Sequence, residues 1–254
     1  MGKIISFANQ KGGVGKTTSA VNVAASLGIL GYNVLLVDLD PQGNATSGVG
    51  VPKKALKQTV QDLLVGEADI EDVIIKTNFN NLSIVPANIS LAGAEFQLFD
   101  TENSQTEQLK EALEKVKDNY NYIIIDCPPS LGMLTINALS ASDGVIIPMQ
   151  CEFYALEGLS QLMITVSRIK QLYNPSLTVS GILVTMHNKR LLLSMQVIAE
   201  LKKHYDDKLF KTTISRNVKL SEAPGFGMPV YYHDKHSKGA EEYLDVAREL
   251  SSRI

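Results

Sequence analysis

Lys11 to Thr18 have the residue types and the spacing of a loop that binds phosphate. The segment reads Lys-Gly-Gly-Val-Gly-Lys-Thr-Thr. Relative to the general pattern G-x-x-x-x-G-K-[ST], it lacks the first glycine and carries a second lysine, Lys11, five residues before Lys16. Glycines let the backbone approach phosphate oxygens, Lys16 can neutralise the β- and γ-phosphates, and the Thr17 hydroxyl can ligate Mg²⁺. We predict nucleotide contacts from Lys11, Gly12, Gly13, Val14, Gly15, Lys16, Thr17 and Thr18.

The flanking segments place this loop between a strand and a helix. An apolar run at 3–8 predicts a buried strand, and apolar residues at helical spacing over 18–27 predict a helix. In that context backbone N–H groups and a helix N-terminus face an anion. A dinucleotide-binding loop of the G-x-G-x-x-G type fits less well, because it would leave the lysine and threonine without a role.

Two further apolar runs end in carboxylates. The run at 33–37 leads to Asp38 and Asp40, and the run at 122–125 leads to Asp126. Such runs are typical of strands buried in a parallel sheet, and ligands bind at the carboxyl ends of those strands. On a continuing strand, Asp38 and Asp40 would point the same way. We predict that Thr17, Asp38 and Asp126 hold Mg²⁺ and that Asp40 orients the attacking water. The predicted catalytic residues are Lys11, Lys16 and Asp40.

The alternation of strand and helix patterns predicts an α/β fold with a doubly wound, mostly parallel sheet flanked by helices, of the P-loop NTPase type. The 254 residues suit a single domain over 1–254. Further strands are predicted at 82–86, 144–148, 179–185 and 209–214. Helices are predicted at 59–66, 69–76, 105–118, 131–141, 155–171, 191–205 and 238–252, with a weaker helical pattern at 87–100. Loops are predicted at 41–58 and 215–237.

Basic residues concentrate between Met186 and Lys219. The whole chain has a net charge of −3, yet this segment is +5 and the remainder is −8, counted from the same sequence. A basic stripe on an acidic protein is suited to the phosphate backbone of a nucleic acid, contacted without sequence readout. An ordinary solvated helix surface remains the alternative for the lysines at 202, 203 and 208.

Longer segments resemble one known family. The segments are KGGVGKTT, LLVDLDPQGNATSG, IIIDCPPSLGMLTINAL, PMQCEFYALEGLSQL and RNVKLSEAPGFGMPV. Together they resemble the ParA/Soj family of DNA-partition ATPases, over about residues 2 to 250. The loop alone would also fit MinD-type and nitrogenase-iron-protein-type relatives, and the last two segments favour the partition branch.

This resemblance implies an ATPase that uses ATP and Mg²⁺ and forms an ATP-dependent sandwich homodimer. In such a dimer Lys11 reaches the partner's phosphates, so that hydrolysis waits on dimerisation. The ATP-bound dimer is expected to bind DNA non-specifically, and a ParB-type centromere-binding protein is expected to stimulate hydrolysis and release it. The cycle would drive chromosome or plasmid segregation by a cytoplasmic protein that associates with the nucleoid when ATP is bound.

The resemblance also assigns further contacts. Arg190 and Lys219 match basic residues that bind DNA in the family, and Arg216 lies close enough in sequence to join them. Pro224 belongs to a segment that packs near the adenine, and Met186 would face the other side of the base.

Two other classes of protein stay open. A MinD-type membrane-associated positioning ATPase needs an amphipathic C-terminal helix rich in apolar and basic residues, whereas the tail 241–254 is acidic, so no membrane partner is expected. A non-catalytic nucleotide switch would bind ATP and a partner protein without hydrolysis. Cys127 and Cys151 suggest no disulfide framework, and buried thiols fit them better than a cluster shared across a dimer axis.

Overall fold

The computed structural model describes residues 2–99 and 106–254, and its strands form one seven-stranded sheet. The strands are β1 (Lys3–Phe7), β2 (Val34–Asp38), β3 (Ile75–Lys76), β4 (Leu82–Val85), β5 (Tyr122–Asp126), β6 (Gly144–Gln150) and β7 (Thr178–Thr185). Their order in the sheet is β3-β4-β2-β5-β1-β6-β7. All pairs are parallel except β3 with β4. The predicted α/β class with a mostly parallel sheet is confirmed.

The described helices lie on both faces of this sheet. They are α1 (Lys16–Ile29), α2 (Asn44–Gly48), α3 (Val60–Leu64), α4 (Ile70–Val73), α5 (Leu91–Phe99), α6 (Gln108–Glu114), α7 (Met133–Ala141), α8 (Ala155–Leu172), α9 (Leu192–Tyr205), α10 (Val218–Glu222), α11 (Val230–His233) and α12 (Lys238–Arg253). The predicted helix at 105–118 begins at residue 105, which lies outside the described residues. The predicted helical segment at 87–100 ends at residue 100, which also lies outside them.

Four predictions about local structure are wrong. The predicted loops at 41–58 and 215–237 contain the short helices α2, α10 and α11, which are too short for their apolar residues to show a helical period. Among the described residues, the predicted strand at 209–214 makes one isolated bridge to β7, between Leu209 and Ile182, and a second bridge joins Ser215 to His187 just beyond both segments. There the N–H groups of Lys211 and Thr212 donate to the Glu249 carboxylate, at 2.8 and 3.0 Å, instead of continuing a ladder. The predicted helix at 69–76 ends at Val73 and is followed by β3.

The sheet brings its carboxylates and its phosphate loop to one edge. In β1, β2 and β5 every residue except Lys3 is buried, which is why these segments read as unbroken apolar runs. Parallel pairing aligns Phe7 with Asp126 and Asp38 with Asp126. The loop after β1 and the two carboxylates therefore meet at the carboxyl ends of three adjacent strands.

Helix α12 packs against α1 and fixes it to the sheet. Tyr243, Val246 and Leu250 of α12 are buried, and the Tyr243 hydroxyl lies 3.0 Å from the Ser19 hydroxyl of α1. The apolar side of α12 is thus covered by the protein itself.

Gly28 marks a close approach between α1 and the loop before β4. A Cβ added at Gly28 would lie 2.2 Å from the Asn80 carbonyl oxygen, a backbone atom. We expect Gly28→Ala to lower the free energy of unfolding by about 1–3 kcal/mol. In Gly158→Ala on α8 an added Cβ meets nothing within 4 Å, and this variant should gain up to about 1 kcal/mol from helix propensity. Urea denaturation measures the stability of both variants. Equal unfolding midpoints for Gly28→Ala and Gly158→Ala would contradict the close approach at Gly28.

Candidate nucleotide-binding site

The loop between β1 and α1 is shaped to surround an anion. Gly13 and Gly15 have φ of 74° and 83°, which only glycine adopts without strain. Cβ atoms added at Gly12 or Gly13 would meet no atom within 4 Å, so the loop has open space beside its backbone. Helix α1 starts at Lys16 without a side-chain cap in the part of the chain that is described. Its first N–H groups are therefore available to a phosphate.

Lys16 is held inside this loop. Its side chain is buried, and the ammonium donates to the Lys11 carbonyl oxygen at 3.2 Å. Burial lowers the pKa of Lys16, while Asp126, Cys127 and Asp40 oppose that shift. A buried ammonium beside open glycines is suited to bind a phosphate that enters the loop. Lys11, in contrast, is exposed at the outer end of the same loop.

Asp126 has the character of a carboxylate that needs a cation. It is fully buried, and among the described residues neither of its oxygens has a hydrogen-bond partner of normal geometry. Burial, followed by the charge of Asp38, raises the pKa of Asp126 well above its ordinary value, and the Thr17 hydroxyl acts in the opposite direction. An orphaned buried carboxylate costs free energy, and a bound divalent cation would remove that cost. The donor set of Asp126 and Thr17 fits Mg²⁺, which prefers oxygen ligands.

Asp38 uses its oxygens for the loop that follows it. One oxygen accepts from the Asp40 N–H at 3.1 Å, and the other from the N–H and hydroxyl of Thr46 at 2.8 and 2.7 Å. The Thr46 hydroxyl in turn accepts from the Ala87 N–H at 2.9 Å. Burial raises the pKa of Asp38 to about 6, against the effect of the hydrogen bonds from Thr46 and Asp40. Asp38 thus connects β2 with α2 and, through Thr46, with Ala87, two residues after β4.

The strand does not continue beyond Asp38, so the expected common direction of Asp38 and Asp40 has no basis in the fold. Asp40 instead stands in a turn, where one of its oxygens accepts from the Gln42 N–H at 2.9 Å. It is 8% exposed and close enough to Lys16 to raise the pKa of that lysine. The structure therefore places Asp40 near Lys16. A role for Asp38 in holding Mg²⁺ stays a prediction.

A cavity of about 500 Å³ opens beside the loop and has the size for a nucleotide base. Met186 and Pro224, which the sequence predicted as base contacts, both line it together with Gly15 and Thr18 of the loop. Met186 has a positive φ of 49°, an uncommon backbone conformation for a non-glycine residue. Sequence reasoning missed other lining residues, including Thr185 and Tyr243, because distant segments supply them.

The predicted DNA-binding residues divide into two groups. Arg190 and Arg216 line one cavity of about 610 Å³, adjacent to the base cavity through Met186. Lys219 lies outside that lining, and its ammonium pairs with Glu222 at 2.9 Å. Lys189 and Lys238 line the same cavity as the two arginines. Lys189 belongs to the basic segment 186–219 predicted to contact phosphate, whereas Lys238 lies outside that segment.

Comparison with known proteins places the chain in a family. A family model described as an AAA domain matches residues 2–179. The sporulation initiation inhibitor protein Soj of Bacillus subtilis is 57% identical over 252 residues, with 99% of each chain covered. The chromosome-partitioning ATPase Soj of Treponema pallidum is 48% identical, with 100% of this chain and 98% of that protein covered.

This chain belongs to the ParA/Soj family of chromosome-partitioning ATPases.

Solved structures agree with that membership at the level of the fold and the ligand. A cobyrinic acid a,c-diamide synthase from Mycobacterium smegmatis, solved with an ATP analogue and magnesium, superposes with a TM-score of 0.86 at 36% identity. The match covers 99% of this chain and 95% of the synthase. In this chain, no helix within residues 2–99 and 106–254 is both long and apolar enough to span a bilayer.

Proposed function

We propose that this chain is a DNA-partition ATPase whose ATP-bound homodimer binds DNA non-specifically and releases it after hydrolysis. The observation that carries the proposal is the different placement of two lysines in one loop. Lys16 is buried and turned toward the loop, whereas Lys11 is about half exposed at its outer end. This difference supports a role for Lys16 at the chain's own nucleotide and for Lys11 at the nucleotide of a neighbour.

In this proposal ATP occupies the loop and the cavity beside it. Backbone N–H groups of Gly12 to Thr18 and the Lys16 ammonium bind the phosphates, and Met186 and Pro224 contact the adenine. Asp126 and Thr17 hold Mg²⁺, which would supply neutralisation of phosphate charge. Asp38 supports the site by fixing the backbone around Asp40.

Hydrolysis in this proposal depends on Asp40 and on Lys11 from the second copy. Asp40 is held in its turn by the Gln42 N–H and keeps one carboxylate oxygen without a described partner, and that oxygen can orient water. Lys11 would place its charge where negative charge builds up on the transferred phosphoryl group, as an arginine finger does. A ParB-type partner would accelerate this step and so set the time at which DNA is released.

The cavity lined by Arg190 and Arg216 supports the proposed DNA contact. Neither guanidinium has an ion-pair partner among the described residues. Two unpaired cations in one cavity attract a phosphate backbone without reading bases. Lys219 would have to leave Glu222 before it joins them.

A charge reversal tests the DNA face. We expect Arg190→Glu to weaken ATP-dependent DNA binding at least tenfold and to reduce the slope of log affinity against log salt by about one per altered phosphate contact. The matched control is Arg168→Glu, the same substitution at an exposed residue of α8 that lies outside the basic segment 186–219. Binding to random-sequence duplex DNA, measured by fluorescence anisotropy over a range of salt, provides the readout. Normal binding by Arg190→Glu would show that DNA binds elsewhere.

A further inference from the structure

The Lys11 side chain contacts a residue outside its own phosphate loop. Its ammonium forms an ion pair with the Glu152 carboxylate of the same chain. The two side chains are 49% and 48% exposed, so the pair lies at the protein surface. Glu152 follows the end of β6 by two residues, and a residue outside the phosphate loop therefore determines where the outer lysine sits.

This ion pair is one of several contacts that hold the outer part of the loop. The Gln150 side-chain amide donates to the Gly13 carbonyl oxygen at 2.6 Å. The Lys16 ammonium donates to the Lys11 carbonyl oxygen at 3.2 Å. Before Lys11, the Asn9 side-chain amide donates to the Pro148 carbonyl oxygen of β6 at 2.7 Å. Contacts to β6 on both sides of Lys11 thus keep its side chain within reach of Glu152.

We propose that Glu152 is a positioning residue that holds the Lys11 ammonium on its own chain until a second, ATP-bound copy offers phosphate oxygens in exchange. This inference rests on the proposed role of Lys11 in the dimer. An exposed ion pair is weak and exchanges readily, whereas a nucleotide phosphate offers more negative charge and more acceptor oxygens. Without nucleotide on the partner, Lys11 has no better partner than Glu152, and the exchange does not occur.

The ion pair itself is tested on the nucleotide-free protein by amine labelling. Acetic anhydride modifies lysine side chains, and mass spectrometry gives the rate at each site. We expect Glu152→Gln to raise the labelling rate of Lys11 about two- to fivefold and Glu152→Asp to restore part of the protection. The control is Glu157→Gln, the same change at an exposed residue of α8 for which the described residues show no ion pair. An unchanged Lys11 rate in Glu152→Gln would overturn the proposal.

Dimerisation provides the second measurement. In protein that carries Asp40→Ala to suppress hydrolysis, we expect Glu152→Gln to dimerise with ATP at about two- to fivefold lower protein concentration in sedimentation velocity runs. Glu157→Gln should leave the midpoint unchanged. Weaker dimerisation of Glu152→Gln would mean that Glu152 acts within the dimer, which also overturns the proposal.

The two measurements separate this inference from the proposed function. Labelling needs neither a dimer nor hydrolysis, so it decides the ion pair even if the partition cycle is wrong. If no variant dimerises with ATP while Glu152→Gln still exposes Lys11, the proposed function fails and the assignment of Lys11 to Glu152 stands.

Discussion

Lys11→Ala is expected to abolish ATP-dependent dimerisation, DNA binding and partner-stimulated hydrolysis while leaving ATP binding by the monomer largely intact. Lys11 pairs with Glu152 and lies outside the loop interior, whereas Lys16 is buried beside the loop glycines. Loss of a cation supplied in trans to a phosphoryl-transfer site costs about 10³–10⁵ in rate. Isothermal titration with ATP, sedimentation velocity, fluorescence anisotropy with duplex DNA and a phosphate-release assay measure ATP binding, dimerisation, DNA binding and hydrolysis.

Lys3→Ala is the matched control for this variant, because Lys3 is exposed at the opposite end of β1. It removes the same charge and should change none of these four properties. If Lys11→Ala lost ATP binding in the monomer, Lys11 would serve the nucleotide of its own chain. If it dimerised normally with ATP, the proposed contact across the interface would be wrong.

Asp40→Ala is expected to lower the rate of ATP hydrolysis by about 10²–10⁴ and to retain binding of ATP. Asp40 lies past the end of β2 and is 8% exposed, near enough to Lys16 to influence its pKa. Its loss removes the carboxylate that would orient water, but leaves the phosphate loop and Asp126 in place. The variant should therefore accumulate as an ATP-bound dimer on DNA, which gel filtration with and without DNA measures.

Two further variants make this result specific. Asp118→Ala removes an exposed carboxylate before β5 and should hydrolyse ATP normally. Asp40→Asn keeps the shape of the side chain and an oxygen that can still accept the Gln42 N–H bond, and it should be as slow as Asp40→Ala if the charge is what activates water. Normal hydrolysis by Asp40→Ala would mean that another group orients the attacking water.

The nucleotide loop and the strands around it could be predicted because their signals are local. The segment from Lys11 to Thr18 combines glycines, a lysine and a hydroxyl residue at fixed spacing, and the apolar runs before Asp38 and Asp126 are continuous. Segments with weaker local signals were predicted wrongly. Helix α2 depends on the hydrogen bonds that Thr46 makes to Asp38, and the predicted strand at 209–214 is broken by Glu249 from α12.

The sequence by itself determined the fold class, the phosphate loop and the set of carboxylates at the ends of two strands, since each follows from residue type and periodicity. Only the tertiary structure decided which of these carboxylates has oxygens available to a cation. Asp38 and Asp126 look alike in sequence, yet Asp38 is hydrogen-bonded to its own loop, and neither Asp126 oxygen has a partner of normal geometry among the described residues. The contact of Lys11 with Glu152 was likewise invisible, because 141 residues separate them and pairing of β1 with β6 brings them together.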